Sequence, residues 1–454
     1  MAGNIKKSSG SATLSVPHEE RISRGSLSMA WWAICSAMFW LVLSATLAMN
    51  FGTINTLIGL GLSVVTFGLI NAVITRYAIR TGLSVALFSR VLFGKMGASL
   101  ATLIFFATAI YYSLFEGSVI AVAIQSYFPS LSIEIAYLIV VLYSVPLVFG
   151  PVQSWLDKFN GILLPFYILG LIAAVVVSIN TYGYSNAWLN LGPESGDPEN
   201  GWWNCFTYFM GVWILMLYTW DYARFGKKSD SDFHANINFG MPFYLFTFMI
   251  NGVIGIFLVA TIPNEGALTE VSVVLAILKL MGFWGLLFVW VSQTRINTAN
   301  FYLATENMQA FFERFGLSAV PRFFWAIAVG AVVYALMLLN VFSFILQALA
   351  YQGIFVVAWV AIALAHIFSP KYDQLFDGHI ECCPQRVTSF NPCGLIAWFS
   401  GAGLGIVILN FANDSLALFS APITFLVSFC VYLMLLSSAK HHWFVKDEAQ
   451  ANKV

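Results

Sequence analysis

Two charges lie inside stretches that otherwise admit almost none: Glu116 within the apolar run 101–124 and Arg295 within the run 283–304. A charge at bilayer depth costs about 2.5–3.5 kcal/mol even on lenient insertion scales, so it faces a polar cavity or a partner. A carboxylate in such a place can accept bonds from N–H groups or pair with a cation. Because a desolvated carboxylate holds its proton to higher pH, it can also carry a proton. The opposite reading is structural: Glu116 and Arg295 form a buried ion pair that only ties two helices together. Beyond Arg295, Asn297 and Asn300 stand one helical turn apart and offer amide donors and acceptors suited to the edge of a heterocycle. Their alternative is hydrogen bonding between helices. Asp221 and Arg224, at i and i+3, read as a gate or end-anchor rather than as ligands. This is the chemistry of holding and moving something polar across a membrane, not of making or breaking bonds.

The elements that must position these residues are membrane helices. Of 454 residues, 59% are hydrophobic and 9% charged, with a mean hydropathy of +0.81, outside the range of soluble domains. Segments of roughly 20 apolar residues, long enough for about 30 Å of hydrocarbon, recur from Met29 to Ser438, about twelve in all. Period-2 patterning is absent, so helices and not a barrel must form them. Residues 1–28 read as a polar cytoplasmic tail without a cleaved signal. Lys and Arg fall in alternate loops: Arg76, Arg80, Arg90 and Lys95; Lys158; Arg224, Lys227 and Lys228; Arg314 and Arg322; Lys371 and Arg386; then Lys440, Lys446 and Lys453. Those loops are expected inside, with both termini cytoplasmic and the protein multi-pass in the inner membrane. Lys279 breaks the alternation, and the stretch 268–281 is expected to be an amphipathic helix at the outer interface.

Several function classes fall away. The basic residues are scattered over many loops, which argues against nucleic acid as a partner. His379, Cys382, Cys383 and Cys393 share one cytoplasmic stretch but match no zinc spacing, so no metal is expected there. Cys35, Cys205 and Cys430 read as small packing residues in or beside spans. No His-Glu-x-x-His, Gly-x-Ser-x-Gly or Walker loop is present, which argues against a membrane enzyme and a primary pump. Secondary transport, a channel or a receptor remain, with no cofactor expected.

Three strings narrow the choice. Thr81-Gly82-Leu83-Ser84 is followed by Arg90 and Gly94 in the first basic loop; Asp221-Tyr222-Ala223-Arg224-Phe225 closes the sixth span; Asn297-Thr298-Ala299-Asn300-Phe301-Tyr302 lies in the eighth. Together they resemble the nucleobase–cation symporter family 1, which includes purine, cytosine, allantoin and hydantoin permeases. The resemblance implies an all-α membrane fold of two inverted five-helix repeats, here 29–182 and 202–368, plus two C-terminal helices in 391–438. Residues 183–201 then form an extracytoplasmic loop, 369–390 a cytoplasmic loop and 439–454 a cytoplasmic tail. Substrate is expected at midplane between the repeats, where the first and sixth helices are broken. Gly211 suits the second break, whereas 29–48 contains neither Gly nor Pro.

The resemblance also implies an aromatic clamp on a planar ring, from the third and sixth helices. Those positions fall on Tyr112 and, allowing one residue of shift, Trp213. Glu116 follows Tyr112 by one turn on the same helix face and would read the edge of the ring with Asn297 and Asn300. The family's sodium site uses carbonyls of the first helix and hydroxyls of the eighth, and here those hydroxyl positions fall on Arg295 and Ile296. Ser292 and Thr294 would restore the site if the register slips. Proton coupling through Glu116 is therefore favoured over sodium, and a basic or easily protonated ring over a neutral one. A cationic amine or guanidino compound on the same fold, and a non-transporting membrane sensor, are the alternatives; oligomeric state is not legible.

Overall fold

The computed structural model describes residues 15–446 except 150, 265–266, 314–316, 318, 379 and 384, with side chains of 18, 151–163, 313 and 414 outside that description. Among the described residues the chain is helical, and two isolated backbone bridges, Ile22 with Gly226 and Val387 with Val445, stand in place of any sheet. The helices used below are α1 (Arg24–Trp32), α2 (Phe39–Phe51), α3 (Thr53–Thr81), α4 (Val85–Gly97), α5 (Ser99–Tyr127), α6 (Ile133–Leu147), α7 (Pro151–Tyr182), α8 (Gly201–Met210), α9 (Ile214–Ala223) and α10 (Lys228–Thr261). They continue with α11 (Ser272–Met281), α12 (Phe283–Glu313), α13 (Arg322–Leu338), α14 (Ile345–Phe368), α15 (Pro392–Phe411) and α16 (Ser420–Ser437).

Seven described helices are long and apolar enough to cross a membrane, eight if the bent pair α1–α2 is one span. The expected count of about twelve is not reached by this measure, for physical reasons. The α8–α9 span is divided into halves of 10 residues each, and α6 and α13 have only 15 and 17 residues. The middle of α12 carries Ser292, Gln293, Thr294, Arg295, Asn297 and Asn300, which lowers its hydropathy. The helix around Lys279 is shorter than expected, starting at Ser272, and its Val273, Val274, Ile277 and Leu278 are buried against neighbouring helices while Lys279 donates to the Pro263 carbonyl at 2.6 Å.

The first break forms without Gly or Pro. Residues Ala33–Ser36 tighten into a 3₁₀ turn, Ala37 is extended, and the axes of the flanking helices diverge by 41°. In a membrane every backbone group freed by a break needs a partner, and side chains from α2 itself and from two other helices supply them. Arg295 donates to the Ala33 carbonyl at 2.9 Å, the Trp40 indole to Ile34 at 3.0 Å, and Asn251 of α10 to Cys35 at 2.9 Å. The Met38 N–H is taken by the Gln293 side chain.

The second break, Gly211–Trp213, follows the usual signal. A Cβ on Gly211 would sit 2.4 Å from the Leu349 carbonyl, so only glycine lets α14 approach there. Gln352 of α14 donates to the freed Gly211 carbonyl at 2.9 Å. Gly211→Ala is expected to force these backbones apart at about 1–3 kcal/mol, as overpacking does, and a lower unfolding temperature of the purified protein would register it.

Two of the three strings converge at one end of the bundle. Gly82, with φ of +69°, ends α3 in the left-handed conformation, and Ser84 caps α4 by accepting the Leu87 N–H at 3.1 Å. Asp221 accepts the Val85 N–H at 2.8 Å, so the carboxylate closing α9 sits at the positive end of α4. Arg21 ties the same end together, donating to the Ile79 and Gly226 carbonyls at 2.6 and 2.7 Å.

Candidate functional site

A cavity of about 510 Å³ runs between the two broken spans and the packed pair α5–α12. Its depth is set by Phe39 and Trp40 just after the first break, Tyr112 and Glu116 on α5, and Leu215 and Tyr218 on α9. Towards its mouth lie Asp221, Arg224 and Glu306, the last 43% exposed at its side chain and paired with Arg322 at 3.2 Å. The size falls within the usual range for small-molecule sites, about 300–1,000 Å³.

Glu116 is 2% exposed and lines this cavity. Its partner is not Arg295. The Gln293 amide satisfies both its neighbours when its oxygen accepts from the Met38 N–H, at 3.1 Å, and its nitrogen donates to Glu116 Oε2. Arg295 instead donates to the Ala33 carbonyl and, at 3.3 Å, to Ser36 Oγ. The ion pair considered from sequence does not form: among the described residues the ion pairs join Arg76 to Asp232, Arg322 to Glu306 and Arg386 to Glu381.

The remaining expected site residues divide. Tyr112 lines the cavity, edge-on to Phe39 with ring centroids 5.2 Å apart, and its hydroxyl accepts from Gln352 at 3.4 Å. Asn300 also lines it, as do Asp221 and Arg224. Trp213 does not: its ring is edge-on to Phe67 and to Phe425 of α16, facing away from the cavity. Asn297 is turned from it as well, donating to Ser144 of α6 at 3.2 Å, as an interhelical tie would. Of the hydroxyls on α12, Ser292 donates to Phe288 of its own helix at 2.6 Å and Thr294 meets Tyr143 at 3.0 Å, and neither lines the cavity. Of the zinc candidates, His379 lies outside the described residues, and no group of three His, Cys, Asp or Glu side chains converges among those described.

Sequence reasoning missed Tyr218, Phe39 and Gln293. Tyr218 supplies the sixth-span aromatic that Trp213 does not, packed flat on Phe105 of α5 at 5.6 Å and 25°, with its hydroxyl lacking a partner among the described residues. Counting back by turns from Asp221 gives Tyr218 and then Leu215, both on the cavity, so the signal was available in the motif itself.

No protein-family model matches the chain, and no curated sequence resembles it at a significant level. The fold is shared with solved structures. The inward-facing conformation of Mhp1 superposes with a TM-score of 0.73 at 13% identity, covering 97% of this chain and 96% of that one. Mhp1, a nucleobase-cation-symport-1 family transporter, in a closed conformation with bromovinylhydantoin bound, gives 0.69 at 13% identity, covering 97% and 98%. A Na⁺-coupled sialic acid symporter in its substrate-bound outward-open state gives 0.54 at 10% identity, covering 94% and 92%. The expected all-α membrane fold is therefore the one observed.

Proposed function

We propose that this protein is a secondary transporter that takes up a small nitrogen-rich heterocycle, of the cytosine or purine kind, by alternating access and with proton rather than sodium coupling. The observation that carries this reading is a single carboxylate, Glu116, at the depth of a cavity framed by two broken helices and by Tyr112 and Tyr218. An aromatic pair suits a planar ring, and a carboxylate suits its N–H edge or a positive charge on it. Shared fold with Mhp1, described as a nucleobase-cation-symport-1 family transporter, supports the ring as substrate class. Asn300 adds an amide at the same cavity, while Asp221 and Arg224 at its mouth serve as end-anchor and gate. The basic loops at that end make it the cytoplasmic end, and both termini cytoplasmic.

Sodium independence rests on Arg295, whose guanidinium already donates to a carbonyl freed by the first break. A second reading, carriage of a cationic amine or guanidino compound, is favoured by the same Glu116, which needs only a donor or a charge. The test is uptake of radiolabelled cytosine into cells lacking their own permeases, with purines, hydantoin, allantoin, creatinine and guanidine as competitors, in sodium and sodium-free buffers. Saturable uptake displaced by one ring and indifferent to sodium is expected. Displacement by guanidine alone selects the second reading, and absence of uptake with intact ligand binding points to a sensor.

A further inference from the structure

Gln293 is buried, does not line the cavity, and joins two parts of the mechanism proposed above: the carboxylate of Glu116 and the N–H of Met38 at the end of the first break. We infer that Gln293 is a positioning residue that makes Glu116 Oε1 the oxygen presented to substrate and the one that carries the coupling proton. This inference deepens the proposed function and rests on it.

Met38 N–H is a fixed donor, because α2 begins there and residues Ala33–Ser36 before it are in a 3₁₀ turn. The Gln293 oxygen is within reach of that N–H in either amide orientation, at 3.3 or 3.1 Å, and only with the oxygen turned to Met38 and the nitrogen to Glu116 are both partners matched. A nitrogen donor held against Oε2 makes that oxygen an acceptor in both protonation states. A proton on Oε2 would confront the Gln293 N–H; a proton on Oε1 does not. The neutral acid then donates from Oε1 to a ring nitrogen or carbonyl, and the anion accepts there from a ring N–H. Because the same amide grips the first break, displacement of Glu116 by a ligand is transmitted to Met38 directly.

The titratable groups that feel Glu116 are Tyr112 on the same helix and Tyr167 on α7; Cys35 in the break is the next neighbour of Tyr167, and Arg295 on α12 of Cys35. Phenols and guanidinium groups ordinarily keep one charge state between about pH 5 and 8, and the Cys35 thiol lies in the first break and does not line the cavity. Glu116 is thus the group among them whose proton moves.

Three variants and one spectrum test the role. Gln293→Leu, which keeps the bulk but neither bond, is expected to raise the KM for the transported ring by at least about tenfold with equal protein in the membrane. Gln293→Glu supplies an O–H donor to Oε2 and an acceptor to Met38 only while the two carboxyls share a proton. Measured against wild type at the same pH, it is expected to keep near-wild-type uptake at about pH 5 and to fall at least about tenfold below wild type by about pH 8. In purified protein, the carboxylic-acid infrared band removed by Glu116→Gln should shift in Gln293→Leu. A uniform drop in both Gln293 variants with no acid rescue, or an unshifted band, overturns the inference. If Gln293→Leu fails to fold, Gln293→Glu still decides by its pH profile. If wild type transports no ring in the panel, the proposed function fails separately, while the infrared arm still reports on the Gln293 contact.

Discussion

Glu116→Gln is expected to reach the membrane at wild-type levels and to cut saturable uptake of an N–H-rich or cationic ring by about ten- to a hundredfold. The magnitude follows from hydrogen bonds to a charged group, about 1.5–3 kcal/mol each, with a factor of ten for every 1.4 kcal/mol. The substitution is isosteric, and the new amide can still accept the Gln293 N–H through its oxygen, so the packing of α5 against α12 is preserved. What changes is the group offered to the cavity: an amide cannot ionise and cannot release a proton. Two consequences separate recognition from coupling. Selectivity should move toward neutral, carbonyl-bearing rings such as hydantoin, read as changed inhibition constants in the competitor panel. Accumulation against a gradient should disappear, while exchange of labelled for unlabelled ring through preloaded vesicles persists for any ring still bound. Wild-type KM together with a wild-type pH profile of accumulation would remove Glu116 from both roles.

How much of this was legible depends on whether a residue's signal was local. Glu116 stands out because its run is apolar on both sides, and Asp221 because the α9 end carries a recognisable string; both lie on the cavity. Gly211 announced the second break by residue type, since close approach of α14 leaves no room for a Cβ. The first break carried no such mark. Its carbonyls are satisfied by Arg295, Trp40 and Asn251, and the two from other helices lie hundreds of residues away, a tertiary solution that no breaker signal encodes. Helical phase was the other limit. Asn297 and Asn300 were read as a pair, yet the three-residue step between them carries one to Ser144 and the other to the cavity. The same limit placed the sixth-span aromatic at Trp213, inside the 3₁₀ turn where the count from Asp221 loses register, when Tyr218 lies within the regular helix and needs no such correction. Gln293 was invisible for a third reason: a glutamine in a span is unremarkable until its two partners are known.

Arg295→Ser is the substitution expected to change the energetics of coupling rather than of recognition. Three features set the expectation. Arg295 donates to the Ala33 carbonyl and to Ser36 Oγ, so the guanidinium supplies positive charge to the break whatever the ionic composition outside. Hard cations are held by oxygen ligands, and unwound carbonyls are their usual place in folds of this kind. A serine at position 295 would leave the Ala33 carbonyl accepting from Ser36 Oγ alone, at 2.8 Å, open its second lone pair, and add a hydroxyl from α12. Uptake in sodium-free buffer is therefore expected to fall by at least about tenfold, the loss of one charged hydrogen bond, and sodium is expected to restore part of it with saturation. Arg295→Lys, which keeps the charge but not the planar fork, should retain sodium-independent uptake at a reduced rate. Uptake by wild type that rises with sodium, or an Arg295→Ser protein as active without sodium as wild type, would show that the guanidinium holds the first break mechanically and leaves the coupling ion to another site.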